Sequence, residues 1–224
     1  VISAVVSAVL STVTAVAASA VAVAHRRAAF DSAFDSAFDS AFDLAVNGVL
    51  EPRPSGSLPS GGVANDLPPD LILSPLGAEA RPLSEWLTTF HLATVVLDPY
   101  TNESSWILKT ATRILEGFRG ADARVNLLVT ADEADTRAFL GPLTEQYLVF
   151  CDQDRRVVTA LGLQEIPAFV FIRVDGSVAA SAEGWAPADW RAVGAEIAAM
   201  TSWKAPDIPA PGDPGSFRGS PAAG

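Results

Sequence analysis

The reactive side chains of this chain are few. Cys151 is its single cysteine, so no Cys-x-x-Cys couple and no intramolecular disulfide can form, and any thiol exchange would need a sulfur from outside. Asp152 and Asp154 follow it closely, and negative charge there raises a thiol pKa rather than releasing a thiolate. A small buried apolar role is the plainer reading. Asp132, Glu133 and Asp135 could in principle ligate a metal, but three acids at a helix start are favourable against its dipole with no ion present. The two histidines, His25 and His91, have no cysteine or histidine neighbours at zinc spacing. A glycine-rich phosphate loop is also missing. These observations lead to the expectation of no metal and no cofactor.

The chain has 224 residues, 49% of them hydrophobic, enough for one substantial core with appended segments. A formal net charge of -11 and a pI near 4.5 argue against a surface that holds nucleic-acid phosphates. Acidity otherwise implies little beyond solubility.

The elements able to position a site lie between residues 83 and 203. Ala93 to Leu97 is a buried β-rich run, and Asp98-Pro99-Tyr100-Thr101-Asn102-Glu103 is a turn leading into a helix. That helix is expected from Ser104 to Phe118, with Ile107, Ala111, Ile114, Leu115 and Phe118 on one face and Gly120 closing it. Strands follow at Arg124 to Thr130 and Tyr147 to Cys151, with helices at Glu133 to Leu140 and Asp154 to Leu161. Pro167 then steps directly into the apolar strand Ala168 to Val174. Asp175-Gly176 suits a type I′ hairpin turn, a strand from Ser177 to Ser181 follows, and Pro187 opens a closing helix that runs to Met200. This order predicts an α/β fold with a mixed sheet and helices on both faces.

From about Leu92 to Met200 the chain resembles the thioredoxin superfamily, in particular its TlpA-like branch of tethered thiol:disulfide interchange proteins. The residues that carry the resemblance are Cys151-Asp152-Gln153-Asp154, Thr159-Ala160-Leu161-Gly162-Leu163, Ile166-Pro167, Asp175-Gly176-Ser177 and Gly184. It implies a three-layer α/β/α architecture with a mixed central sheet, and it covers about half of the chain. In that family two cysteines sit at the start of the helix after the first core strand, where free backbone N–H groups stabilise a thiolate. Counting from Trp106-Ile107, those positions fall on Thr101 and Ser104, or on Asn102 and Ser105 one residue along. A hydroxyl does not ionise near neutral pH without a base, and no histidine is near in sequence. Helix capping by Thr101 or Asn102, with Glu103 in the first turn, accounts for the cluster.

The resemblance also implies that Pro167 is cis and that the backbone of Ile166 is offered to an extended peptide. The expected binding residues are therefore Pro99, Tyr100, Thr101, Ser104, Trp106, Ile166 and Pro167, with Trp185 at the margin, against the alternative that Trp106, Trp185 and Trp190 only complete the core. The function read from this is a non-catalytic thioredoxin-like protein that binds an extended protein segment of unknown identity. One alternative is a thiol-disulfide oxidoreductase working through Cys151. A second is a peroxiredoxin-like chain that has lost its peroxidatic cysteine.

The flanks read differently. Val1 to Ala24 carries no charge, and His25-Arg26-Arg27 follows. Residues 1–27 fit a weak membrane helix with its basic flank in the cytoplasm, a cleaved leader ending near Ala22-Val23-Ala24, or a simple Ala/Val-rich helix. The corresponding locations are the cytoplasm or the cytoplasmic face of a membrane, with export as the alternative. Residues 28–46 repeat Ala-Phe-Asp-Ser, and a four-residue step winds its Phe stripe slowly around a helix, so tandem repetition explains it better than an amphipathic face. Residues 47–82 read as a proline- and glycine-rich linker and 204–224 as a disordered tail.

Overall fold

The computed structural model describes residues 64–223. The readings of residues 1–46 and of 47–63 lie outside the described residues. Within them, β1 is Ile72–Pro75, β2 Arg81–Pro82, α1 Leu83–Trp86, β3 His91–Leu97 and α2 Asn102–Gly117. The chain continues through β4 Ala123–Val129, α3 Glu133–Leu140, a short 3-10 turn at Gly141–Glu145, β5 Leu148–Cys151 and α4 Arg156–Leu161. It ends with β6 Glu165–Ile166, β7 Ala168–Ile172, β8 Val178–Glu183, α5 Pro187–Thr201 and β9 Ser220–Pro221.

Seven strands form one mixed sheet in the order β2-β1-β5-β4-β3-β7-β8. The β3, β4 and β5 neighbours run parallel, while β7 pairs antiparallel with β3 and with β8. Alternation along the central strands divides the core. Val95 and Leu97 of β3 and Phe169 and Phe171 of β7 pack with Ile107, Ile114 and Phe118 of the α2 side and Trp190 of α5. Leu92, Val96, Val170 and Ile172 point the other way, onto Leu83 of α1 and Val157, Val158 and Leu161 of α4. This is the expected α/β/α sandwich, produced by the two-residue period of the strands. The five apolar positions read as one face of α2 are all fully buried.

Three expectations are corrected. The domain begins before residue 83: Leu67 and Leu73 are buried, β1 inserts between β2 and β5, and Asn65 N–H and Leu67 N–H bond to Leu161 O and Gly176 O. Leucines spaced among the prolines supply enough apolar surface to hold this stretch. The hairpin at Asp175-Gly176 is not type I′, which needs positive φ at both central residues. Only Gly176 has it, at +86°, and Arg173 bonds to Ser177 across a three-residue loop.

The third correction concerns residues 204–224, whose described part is folded against the domain. Trp203 Nε1 donates to Gly117 O, Pro206 packs at Gly117, and Asp213 accepts from Thr110 Oγ1 at 2.9 Å and pairs with Arg113 at 2.7 Å. Proline density excluded long ladders here, but side chains of α2 supply the bonds that a sheet would otherwise give.

Candidate functional site

The antiparallel pairing of Val96 with Ala168 brings the ends of two chain segments together. Two residues beyond Val96 is Asp98, and two residues before Ala168 is Ile166, so the turn after β3 and the proline loop before β7 share one end of the sheet. The Ile166–Pro167 bond is cis, as the family resemblance implied, and both residues are buried.

The turn is closed by its own groups. Ser104 is fully buried, and its Oγ accepts the Asp98 N–H at 2.8 Å. Thr101 Oγ1 donates to Asp98 O at 3.1 Å and lies 3.2 Å from Ser104 Oγ. Asp98 Oδ1 in turn accepts from Tyr100 N at 3.0 Å. Thr101 holds the N-cap backbone position of α2 but makes no side-chain cap bond, because its hydroxyl is directed back to Asp98. Both hydroxyls are engaged with the Asp98 backbone and with each other, so the pair organises the turn.

The carboxylate of Asp98 is 4% exposed and pairs with Arg155 Nη2 at 2.7 Å. Arg155 adopts φ +53°, a left-handed conformation uncommon for a residue with a Cβ. It precedes α4, whose first amides at Val157 and Val158 are instead accepted by Asp152 at 3.0–3.1 Å. Burial pushes the Asp152 carboxyl above its ordinary value, against the pull of those N–H groups. With the cap taken by Asp152, Arg155 is free to reach across the site. Its Nη1 donates to Ala222 O at 2.8 Å.

That second bond introduces the residues the sequence reading missed. Residues 217–222 cross the proline loop in extended form. Ile166 and Glu165 are in antiparallel register with Ser220 and Pro221, and Ala222 N–H donates to Gln164 O at 2.8 Å. Trp185 and Phe217 exchange both backbone bonds, at 2.9 and 3.0 Å. Gly219 N–H and Arg218 Nε each bond to a carboxylate oxygen of Glu165, and Ser220 Oγ donates to Glu103 at 2.8 Å. Ala222 is buried among the residues of the α1/α4 side. The edge of Ile166 that the resemblance offers to a peptide is thus filled by the chain itself.

Glycine makes this approach possible on both sides. A Cβ on Gly219 would lie 2.8 Å from Ile166 O and from Glu165 Cβ. A Cβ on Gly184, where φ is +63°, would lie 2.9 Å from Gly219 N and 3.1 Å from Phe217 O. Contacts that short do not persist between packed atoms, so both positions depend on the absence of a side chain.

The other expected residues separate. Tyr100 is 66% exposed and its hydroxyl donates to Asp135 Oδ2, which pushes its pKa up to about 12. Trp106 is 41% exposed and meets the Phe217 ring edge-on at 5.5 Å. Pro99 is half-buried between Asp98 and Tyr100. Trp185 and Trp190 are fully buried against each other at 5.2 Å, as the core alternative held. Trp190 Nε1 also fixes Gly184 through a 2.8 Å bond to its carbonyl.

Cys151 belongs to a different place. It borders a depression of about 540 Å³ lined by Ser74, Glu133, Asp154 and Arg156 among others, to which neither residues 99–106 nor Ile166 contribute. Burial, more than the nearby acids, pushes its thiol pKa up, and the Thr136 hydroxyl 3.6 Å away only partly opposes this. Asp132 caps α3 by accepting from Asp135 N at 2.8 Å, which accounts for the acidic trio. Among the described residues, no group of acids, histidines and cysteines is arranged to hold a metal.

No family model and no curated protein matches the sequence. Solved structures do. The bacterioferritin comigratory protein of Xanthomonas campestris is 17% identical, with 62% of this chain and 99% of that one covered and a TM-score of 0.51. A putative thioredoxin from Neisseria meningitidis is 16% identical over 60% of this chain and 89% of that one, with a TM-score of 0.50. A putative thiol:disulfide interchange protein DsbE from Chlorobium tepidum is 18% identical over 63% and 99%, with a TM-score of 0.49. The fold is thioredoxin-like, and it is carried by a chain with one cysteine and no catalytic pair. The first of these relatives is described as reducing alkyl peroxides and the second as a putative thioredoxin, so the likeness does not select a chemistry.

Proposed function

We propose that this is a non-catalytic thioredoxin-like domain of the TlpA-like branch that receives an extended protein segment along Glu165–Ile166. The observation that carries the reading is the strand pairing of this edge with Ser220–Pro221, a main-chain match made across more than fifty residues of sequence. An edge that accepts one extended segment has its N–H and C=O groups aligned for another, and strand addition of this kind draws affinity from the backbone and specificity from side-chain pockets. The turn that would carry the thiols supplies a wall instead, since its hydroxyls are spent on Asp98. The thiol of Cys151 lies outside this edge and burial pushes its pKa up, which leaves the alternative of thiol exchange without a supporting observation.

The test is selection of binders from a displayed library of short peptides, using the full chain with and without Gly219→Val. Binding is mapped by backbone amide shifts. Selected peptides are expected to perturb the amides of Glu165, Ile166 and Gly184, and Cys151→Ser is expected to leave binding unchanged. Peptides that map elsewhere, or binding abolished by Cys151→Ser, would refute the reading.

A further inference from the structure

Resting on that reading, we infer that residues 217–222 are a resident ligand in cis, and that their sequence states what the groove accepts in trans. The partner is a protein presenting an extended segment with the order aromatic, basic, glycine, serine, any residue, alanine. Each position has its reason. Phe217 exchanges two backbone bonds with Trp185 and sets its ring against the exposed Trp106. Arg218 meets Glu165 at 2.6 Å, but its own side chain is 68% exposed, so solvent screens this pair and it contributes modestly. Gly219 is required, because a single added carbon would strike Ile166 O. Ser220 donates to Glu103, Pro221 is exposed and unselective, and Ala222 is 1% exposed, so a small apolar residue fills this buried position.

The crossing differs from the stretch that precedes it in how it is held. Residues 203–213 are clamped on α2 and α5 by Trp203, by the Asp213 pair with Arg113, and by Arg191 Nε donating to Ile208 O. Residues 217–222 are held by main-chain bonds, the Phe217 ring against Trp106, the exposed Arg218–Glu165 pair, the Ser220–Glu103 bond and buried Ala222, with no fully buried large side chain among them. They can therefore leave while 203–213 stay. A segment tethered so closely competes at an effective concentration on the order of millimolar, so a partner must match the same positions to displace it.

The experiment uses a fluorescein-labelled peptide with the sequence of residues 215–222, titrated by anisotropy into the intact chain and into the full chain carrying Gly219→Val. Binding to the variant is expected to be at least about tenfold tighter than to the intact chain, whose groove is occupied. A peptide with Arg218→Glu should bind about threefold more weakly, and one with Gly219→Val should not bind. Equal affinity for both chains, or tolerance of Gly219→Val in the peptide, overturns the inference. Should the variant chain fail to fold, amide exchange in the intact chain decides: Gly219 and Ala222 are expected to exchange by local opening, well before Val95. Exchange of these amides only with global unfolding would make the crossing a fixed part of the fold and end the proposal. Library peptides that reach Ile166 without this pattern would sink the inference and leave the broader reading standing, whereas no binder at that edge would sink both.

Discussion

The Asp98–Ser104 turn and the Glu165–Ile166 edge lie at one end of the same sheet, yet they satisfy their polar groups in opposite ways. The backbone of the turn is held locally: Thr101 and Ser104 bond that of Asp98 within six residues of sequence. The edge is not, and it takes its partners from Gly219 to Ala222, more than fifty residues away. The hydroxyls of the turn are directed at its own backbone. The edge is paired by a segment remote in sequence.

Arg155 joins the two regions, and removing it should have the largest effect. Arg155→Ala strands the buried Asp98 carboxylate and frees Ala222 O. A loss of about 2–3 kcal/mol is expected in urea denaturation, together with faster amide exchange at Ala222. A loss under about 0.5 kcal/mol would show that the turn and the crossing are independent.

Ser104→Ala tests the turn alone. It leaves the buried Asp98 N–H without its acceptor and should cost about 1–3 kcal/mol, while exchange at Gly219 and Ala222 is unchanged. Were those amides to loosen as well, the contrast between a local and a borrowed network would fail.

The smallest effect falls at the rim. Tyr100 is held above its ordinary value of 10.0, at about 12, chiefly by its bond to Asp135. Because the folded value lies above the unfolded one, whatever this bond contributes is present below pH 10 and disappears as the pH rises towards 12. Ultraviolet titration should find both tyrosines ionising late, since burial raises Tyr147 too. In Asp135→Asn only Tyr100 should return towards 10.0. A late Tyr100 in that variant would assign the shift to desolvation and to Asp132 and Asp98 instead.

Sequence patterning carried the framework well where periodicity is strong. The burial of Ile107, Ala111, Ile114, Leu115 and Phe118 follows from helical spacing, and the step from Pro167 into Ala168–Ile172 marks the strand that pairs with β3. The turn residues were found through the likeness to thioredoxins, although capping by Thr101 proved to be a bond to Asp98 O. The crossing was not legible, because five prolines and four glycines between Ala205 and Gly224 are the composition of a tail. What such composition hides is that glycine permits close approach as well as freedom. Phe217, an aromatic residue in so polar a stretch, was the available signal, since segments without a core seldom carry one. Arg155 and Glu165 gave no signal at all, for their partners are distant in sequence and an isolated charge reads as solvated.

Gly184 and Gly219 meet back to back beneath the proline loop. One methyl group on either would act as a wedge between the two segments. Among chains built on this plan, alanine at position 184 would mark those whose final segment hangs loose, and a glycine kept at both would mark those that carry their own latch.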